Sequence, residues 1–335
     1  MKSALLLLTL LLFAASGTAQ TQKKSPKPPQ PPAFTPVLDH QAPPMQPSAI
    51  VKPVPAHPIR LEGETVDGQK VTYKSVEELQ KATLQSLKSL QIHAGSDRGP
   101  LDEKMLAYIL NTAPQLEELA VIQVAVNRFP QIATPHRSLK KLTLLRNGLK
   151  ALPAGISNLV ALEEFHSDNP LEALPASFSA LRNLKTVLLH HNAFQNFPAE
   201  VFGLPQLRDL YVTGRFKQPL IKEVPDLFHQ LPNLEELGIQ YTSVTALPPS
   251  TATLKKLRKA VLSGNQLAGF PESLTVLPEL FYVDLYNNPL QWEAFKATIQ
   301  KIRWRGLFYI GETGLSEQQY KAVDKMLPKM DVYYE

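Results

Sequence analysis

The sequence predicts an α/β solenoid: a curved stack of short parallel strands, closed at one end by a hairpin and helix and at the other by an irregular α/β unit. Three observations predict it. Leucine-like residues recur in the spacing L-x-x-L-x-L, successive copies start 22 to 27 residues apart, and an asparagine follows most copies at a fixed distance. Self-similarity at such a period marks a repeat architecture, because one unit cannot cover its own leucines and stacked units must share a core.

The N-terminus has its own logic. Lys2 precedes an apolar run from Ala4 to Ala15, broken only by Thr9, and then the small residues Ser16-Gly17-Thr18-Ala19. This is the layout of an export signal over residues 1–19, cut after Ala19. Twelve positions fall short of the about 20 that a membrane span needs. With no cysteine and no N-x-S/T acceptor in the 335 residues, the expected setting is a bacterial periplasmic or extracellular one, with a soluble chain after signal removal. Residues 20–58 hold twelve prolines between Pro26 and Pro58, too many missing donors and fixed φ angles for helix or sheet, and read as a disordered, polyproline-like spacer.

Order is expected from Ile59, with an N-terminal cap over 59–86. Ile59-Arg60-Leu61 and Val71-Thr72-Tyr73 flank Asp67-Gly68, the dipeptide of a type I′ hairpin turn. Ser75 with Glu78 forms a capping box that opens a short helix through Leu84.

The repeats occupy 87–291. Full copies start at Leu116, Leu139, Leu162, Leu184, Leu207, Leu234, Leu257 and Leu280, and a degenerate one at Leu87. Strand alternation sends both leucines of L-x-L to one side and their neighbours to the other. Asn147, Asn192, Asn265 and Asn288 stand eight residues after a start, and Asn169 holds that place in the copy one residue short. Their buried amides are expected to satisfy backbone groups where the chain turns away from the strand. Prolines 130, 153, 175, 198, 225, 248 and 271 each follow an apolar residue and are expected to set an extended convex side. The C-terminal cap over 292–335 reads as a helix from Glu293 to Arg303, a strand Leu307–Ile310, a Ser316-capped helix to Leu327 and a last strand from Asp331 to Tyr334. Trp292, Trp304, Tyr333 and Tyr334 are assigned to packing within it.

These repeats resemble the leucine-rich repeat family in the 23-residue form whose second half reads L-P-x-x-I-x-x-L, as in Leu152-Pro153-Ala154-Gly155-Ile156-Ser157-Asn158-Leu159. The resemblance implies a leucine-rich repeat solenoid with a concave parallel sheet, and protein binding as its usual role. The family's bacterial ubiquitin-ligase effectors use a catalytic cysteine, which this chain lacks.

Charge and motifs narrow the function. Of the net +5, Lys2 contributes one and residues 20–58 three (Lys23, Lys24, Lys27 and Lys52 against Asp39), leaving +1 for everything from Ile59 onward. A near-neutral body of mixed sign is not a phosphate-tracking surface, so no nucleic acid is expected. Without a nucleotide loop, a nucleophile elbow or a metal-ligand spacing, the chain is expected to be no enzyme and to carry no cofactor or metal. His166, Asp168 and His190 fall on adjacent strands, a weak ligand signal.

Three outward rows follow from the strand phase. The first runs Ser89, Glu118, Lys141, Glu164, Thr186, Asp209, Glu236, Lys259, Tyr282. The central row is Gln91, Ala120, Thr143, His166, Leu188, Tyr211, Gly238, Val261, Asp284. The third is His93, Ile122, Leu145, Asp168, His190, Thr213, Gln240, Ser263, Tyr286. Leu188, Tyr211, Val261, Ile122 and Leu145 put apolar side chains on a face that stacking does not cover, a mark of a partner site. The Leu207 repeat is four residues longer than its neighbours, and the extra length falls near Arg215, Phe216 and Lys217. The expected binding site therefore comprises Leu188, His190, Tyr211, Arg215, Phe216, Lys217, Gln240, Tyr282 and Tyr286, with Gly238 leaving a depression beside Tyr211. The partner expected there is a protein; the alternative is a glycan or cell-wall polymer stacking on the tyrosines.

Overall fold

The structure, a computed structural model, describes residues 60–93, 103–126, 128–215, 218 and 220–334. The expected export signal over 1–19 and the expected proline spacer over 20–58 lie outside the described residues.

Strands β1 (Arg60–Thr65) and β2 (Lys70–Tyr73) pair antiparallel as the hairpin requires. The turn, however, is not type I′. Gly68 N–H donates to Thr65 O at 2.9 Å and Thr65 N–H to Gln69 O at 3.0 Å. Gly68 has φ +84° and neither Val66 nor Asp67 has a positive φ. This is a three-residue loop, a right-handed turn followed by a left-handed glycine, with a bulge where the strands rejoin. Helix α1 (Val76–Lys81) is capped by Ser75, which accepts from Glu78 N–H at 3.2 Å. The Glu78 carboxylate reaches Lys74 N–H at 2.7 Å, one residue earlier than a capping box has it. The helix ends before Leu84 because Ala82 is extended and Leu84 turns into the core.

The chain then lays down β3 (Leu87–His93), the first parallel strand. Helix α2 (Glu103–Thr112) follows, an element that L-x-x-L-x-L spacing does not announce. Met105, Leu106, Ile109 and Leu110 are its buried face, and Tyr108 ties it to α1 through a 2.9 Å bond to Gln80 O. It fills the 29-residue interval between Leu87 and Leu116, six longer than the usual repeat.

Strands β4 (Glu118–Ile122), β5 (Lys141–Leu145), β6 (Glu164–Asp168), β7 (Thr186–His190), β8 (Asp209–Thr213), β9 (Glu236–Gln240), β10 (Lys259–Val261) and β11 (Tyr282–Asp284) come one per repeat. After helix α3 (Trp292–Ile299), β12 (Gly306–Tyr309), helix α4 (Glu317–Met326) and β13 (Met330–Tyr333), the result is one curved 13-stranded sheet, parallel throughout except where β1 joins β2 and β3. From β3 to β13 neighbouring strands pair without slippage, so equivalent leucines stack: Leu119, Leu142, Phe165, Val187, Leu210, Leu237, Ala260 and Val283 form one continuous buried column. Each such side chain withdraws apolar surface worth about 1.5–3 kcal/mol for a full leucine.

The convex side is not simply extended. Short 3-10 helices follow Pro153, Pro175, Pro198, Pro248 and Pro271, and each of these prolines keeps an extended ψ at the cap. Ile156 N–H bonds Pro153 O at 3.1 Å and Phe178 N–H bonds Pro175 O at 2.8 Å. A fully extended chain packed between its neighbours would leave those groups unpaired, and the tight turn satisfies them locally. Phenylalanines brace this layer, with Phe165 on Phe178 and Phe202 on Phe228 edge to face at 5.4 Å.

The asparagines are 1–2% exposed and bond the backbone of adjoining repeats. Asn265 Nδ2 donates to Ile239 O at 2.7 Å and Leu262 O at 2.8 Å, and Asn288 Nδ2 to Leu262 O and Leu285 O at 2.9 Å. Thr242 stands where the Leu234 copy lacks an asparagine, and its N–H donates to Asn265 Oδ1 at 3.2 Å.

At the C-terminal end Ser316 and Gln319 make a complete capping box on α4. Trp304 is buried against Phe270 and Phe308, and Tyr334 stacks on Tyr320 at 4.8 Å. Tyr333 instead stacks on Tyr309 at 4.6 Å, extending an aromatic line that begins with Tyr282 5.2 Å from Tyr309. Among the described residues no helix is long and apolar enough to cross a membrane.

Candidate functional site

Because the pairing is in register, the outward side chains line up across the concave face in rows. In the first row Lys141 pairs with Glu164 at 2.8 Å and Lys259 with Glu236 at 3.4 Å, the cross-strand neutralisation expected of a solvated edge. Thr186 Oγ1 donates to Asp209 Oδ2 at 2.9 Å; burial raises the pKa of Asp209, with Glu236 and Glu235 adding to it.

In the central row Leu188 and Tyr211 are neighbours in register on β7 and β8, and both are half-buried. The Tyr211 hydroxyl donates to Glu236 Oε2 at 2.6 Å, and Lys259 Nζ lies 5.7 Å from the Tyr211 ring and 5.5 Å from that of Tyr282. Burial, then the Glu236 carboxylate, pushes the Tyr211 phenol far above its ordinary value, so it is always a donor. The expected depression at Gly238 is absent. A Cβ there would stand 2.1 Å from Tyr211 Cδ1, so the ring fills the space that the missing side chain leaves. Two further pairs repeat the arrangement, Tyr241 against Gly264 and Tyr286 against Gly311. Val261, expected on the exposed face, is only 7% exposed.

The third row is a chain of hydrogen bonds. Thr213 Oγ1 donates to Gln240 Oε1 at 3.4 Å, Gln240 Nε2 donates to Ser263 Oγ at 2.9 Å, and Ser263 in turn bonds Asp284. His190 Nδ1 is 3.1 Å from Thr213 Oγ1, whose proton is already committed, so the ring nitrogen is the donor. The relay thus spans five strands from a histidine to a carboxylate. Burial holds the His190 pKa down at about 4 and lifts that of Asp284 to about 6.

A fourth row lies just beyond the strands. Gln123, Arg146, His191, Tyr241 and Asn287 have φ between 49° and 57°, the left-handed region, and Gly264 at φ +70° is the glycine of the series. The turns after β4, β5, β7, β9, β10 and β11 take this conformation with different residues in place, while Asn169 after β6 and Gly214 after β8 do not. Asp168 gathers two of these side chains: His191 Nδ1 donates to its Oδ1 at 2.7 Å and Arg146 Nε to its Oδ2 at 3.4 Å. The hydrogen bond to Asp168 raises the His191 pKa, and Arg146 and Arg215 lower it.

Of the nine expected site residues, Leu188, His190, Tyr211 and Gln240 come together on β7 to β9. Tyr282 joins them through Lys259, while Tyr286 sits at the C-terminal rim, 42% exposed. Arg215 bridges Gln218 just after β8 and donates from Nε to His191 O at 3.4 Å. Phe216 and Lys217 lie outside the described residues. His166, Asp168 and His190 do stand side by side, yet among the described residues no three His, Asp or Glu side chains are placed to hold a metal ion. Sequence reasoning passed over Glu236, Lys259, Asp284 and Tyr309. All but Tyr309 were in the outward rows, and only the side-chain geometry shows that they fix the tyrosines.

No protein-family model matches the chain. In structure it is similar to a leucine-rich repeat protein of Leptospira interrogans, with a TM-score of 0.48 at 24% identity over 75% of this chain and 73% of that one. In sequence it is similar to mouse podocan, 25% identical over 189 residues, which is 52% of this chain and 30% of podocan. It is also similar to human PH domain leucine-rich repeat-containing protein phosphatase 1, 33% identical over 112 residues, or 32% of this chain and 6% of that protein. The matches thus span at most 30% of these curated relatives' length. The observed fold, one curved sheet of mostly parallel strands, is a leucine-rich repeat solenoid.

Proposed function

We propose that the chain is an exported, non-enzymatic scaffold that binds a protein partner across its concave face. The contact is centred on Leu188, His190, Tyr211 and Gln240, with Arg215 beside it and Tyr282 and Tyr286 at its far edge, and the long-repeat residues Phe216 and Lys217 are included as the sequence proposes. One observation carries the reading: the outward side chains of β7 to β11 are already held by one another, as in the Tyr211–Glu236–Lys259 set, on strands that do not slip. Side chains fixed before binding lose little freedom when a partner arrives, which is what a recognition surface needs. A glycan is the second reading, favoured by the half-exposed ring of Tyr286 lying against Gly311.

Crosslinking in the native compartment with mass spectrometry identifies the partner, and N-terminal sequencing of the exported form is expected to begin at Gln20. Partner affinity is then compared between Tyr211→Ala and the convex-side Glu200→Ala at matched thermal stability. The first is expected to cost about 2 kcal/mol as a buried aromatic anchor. Equal affinities overturn the concave assignment, and retention on a glycan array with no protein captured selects the second reading.

A further inference from the structure

Between β5 and β8 the concave face is electrically polarised across its width. In the first row, where the strands begin, Lys141 neutralises Glu164 and leaves Asp209 as the net charge, while Arg146, His191 and Arg215 stand past the strand ends. Five residues of strand separate the two edges in a repeat, roughly 16 Å at about 3.3 Å each. The Debye length at physiological salt is about 8 Å, so the acidic edge does not cancel the field of the basic one.

Within the basic edge Asp168 is the shared carboxylate, and it does not consume the cations around it. Arg146 engages it through Nε, with 54% of its side chain exposed, and His191 through Nδ1, with 61% of its side chain exposed. Arg215 spends its Nε on the His191 carbonyl. Inward of this edge Leu145 and Leu188 are half-exposed on the sheet.

Resting on the protein-partner reading above, we infer that the rim from Arg146 through His191 to Arg215 is the subsite for an acidic stretch of that partner, one whose carboxylates alternate with aliphatic side chains. The carboxylates meet the rim and the aliphatic groups meet Leu145 and Leu188. Dimensions agree: β5, β7 and β8 are separated by two spacings and then one, in all roughly 14 Å at about 4.8 Å per strand. An extended segment covers that distance in about four residues at about 3.4 Å each, and successive side chains then face opposite ways. Charge-assisted bonds to guanidinium groups are the strong, directional kind. A bound carboxylate acts on His191 in the same sense as Asp168 and opposes Arg146 and Arg215, while neutral His190 adds little. Binding therefore takes up a proton and tightens as pH falls.

The test is fluorescence anisotropy of a labelled hexapeptide of alternating Glu and Leu, titrated with the full chain. A Gln–Leu hexapeptide and a heparin fragment serve as the other probes. The acidic peptide is expected to bind at least tenfold more tightly than its neutral counterpart and more tightly at pH 6 than at pH 8. The double variant Arg146→Gln/Arg215→Gln is expected to lose about tenfold, and Arg146→Lys/Arg215→Lys to retain most of the affinity. His191→Gln should remove the pH dependence, while Lys150→Gln, at an exposed cation paired with Glu172, should change nothing. Equal binding of the two peptides overturns the inference, as does an equal loss in the rim and Lys150 variants, or binding of heparin without the acidic peptide. With the crosslinked partner, loss in Tyr211→Ala but not in the rim variant leaves the concave reading standing and this one fallen. Loss in neither removes both.

Discussion

The ring of Tyr211 occupies the place of a side chain at residue 238: a Cβ built on Gly238 would be 2.1 Å from Cδ1 and 2.6 Å from Cε1 of that ring. The two residues are directly opposite in the β8–β9 ladder, so the tyrosine leans across one strand spacing and lies against bare backbone. Glu236, on the same strand as the glycine, then receives the hydroxyl at 2.6 Å. Glycine and carboxylate together fix an outward side chain that would otherwise sample several rotamers.

Gly238→Ala is accordingly expected to expel the ring and break the bond to Glu236, costing about 1–3 kcal/mol as overpacking does. The same change in a Tyr211→Ala background should cost far less, since the obstacle is gone. Denaturation midpoints of the four-member cycle measure the coupling. Additive losses would mean that the ring does not need the space at residue 238.

The asparagine ladder carries a second expectation. Asn192 Nδ2 donates to Thr213 O at 2.8 Å and to Leu189 O at 3.2 Å inside a nearly sealed turn. Asn192→Leu takes the amide donor from both carbonyls, leaving Thr213 O only the 3.3 Å bond from the backbone N–H of residue 192, and should lower stability by about 1–3 kcal/mol. Asn265→Leu should do the same and also strand the N–H of Thr242, which donates to its Oδ1 at 3.2 Å. Urea unfolding at constant m-value reads both, and an unchanged midpoint in either would remove the amides from the account of the fold.

What the sequence made legible divides along physical lines. Positions fixed by period were readable, because a parallel stack with no register slip turns a spacing into a row. Lys141, Glu164 and Asp209 were placed on one edge, and Leu188 beside Tyr211, without coordinates. Features set by local backbone competition were not. The loop at Asp67-Gly68 gained a residue, α1 stopped short of Leu84, and the proline-led convex segments tightened into 3-10 turns. Helix α2 was hidden by a search for leucine spacing, although Met105, Leu106, Ile109 and Leu110 carry a helical period. At the site, a list of outward residues shows who is present but not who leans on whom. Gly238 read as a hollow because its own side chain is absent, and the fact that Tyr211 fills that volume depends on a rotamer chosen by Glu236 and Lys259.

The last expectation concerns pH, and it comes from the two ends of the relay through Thr213, Gln240 and Ser263. His190 is buried and neutral with a pKa of about 4 against 6.5 for a free histidine. Its folded value is depressed, so for this base the folded state resists protonation. Stability from this group is complete above pH 6.5 and is lost as pH falls toward 4. Asp284 is the reverse case, with a pKa lifted to about 6 from 3.8 by burial. The folded state favours its protonated form, so that contribution is complete below pH 3.8 and is lost as pH rises toward 6. Each shift corresponds to about 3 kcal/mol at 1.36 kcal/mol per pKa unit. The slopes oppose each other over nearly the same interval, so these two groups leave the wild type almost level between pH 4 and 6. Single replacements should uncover them. His190→Asn, which keeps a donor for Thr213, should become less stable as pH rises from 4 to 6. Asp284→Asn, which keeps an acceptor for Tyr286 N–H, should become more stable over the same range and exceed the wild type at pH 8. His136 and His166, whose pKa values burial also lowers, remain in both variants and drop out of the comparison with wild type. Urea midpoints at half-unit pH steps give the three curves. Parallel curves would show that neither end of the relay is titrating out of its ordinary range.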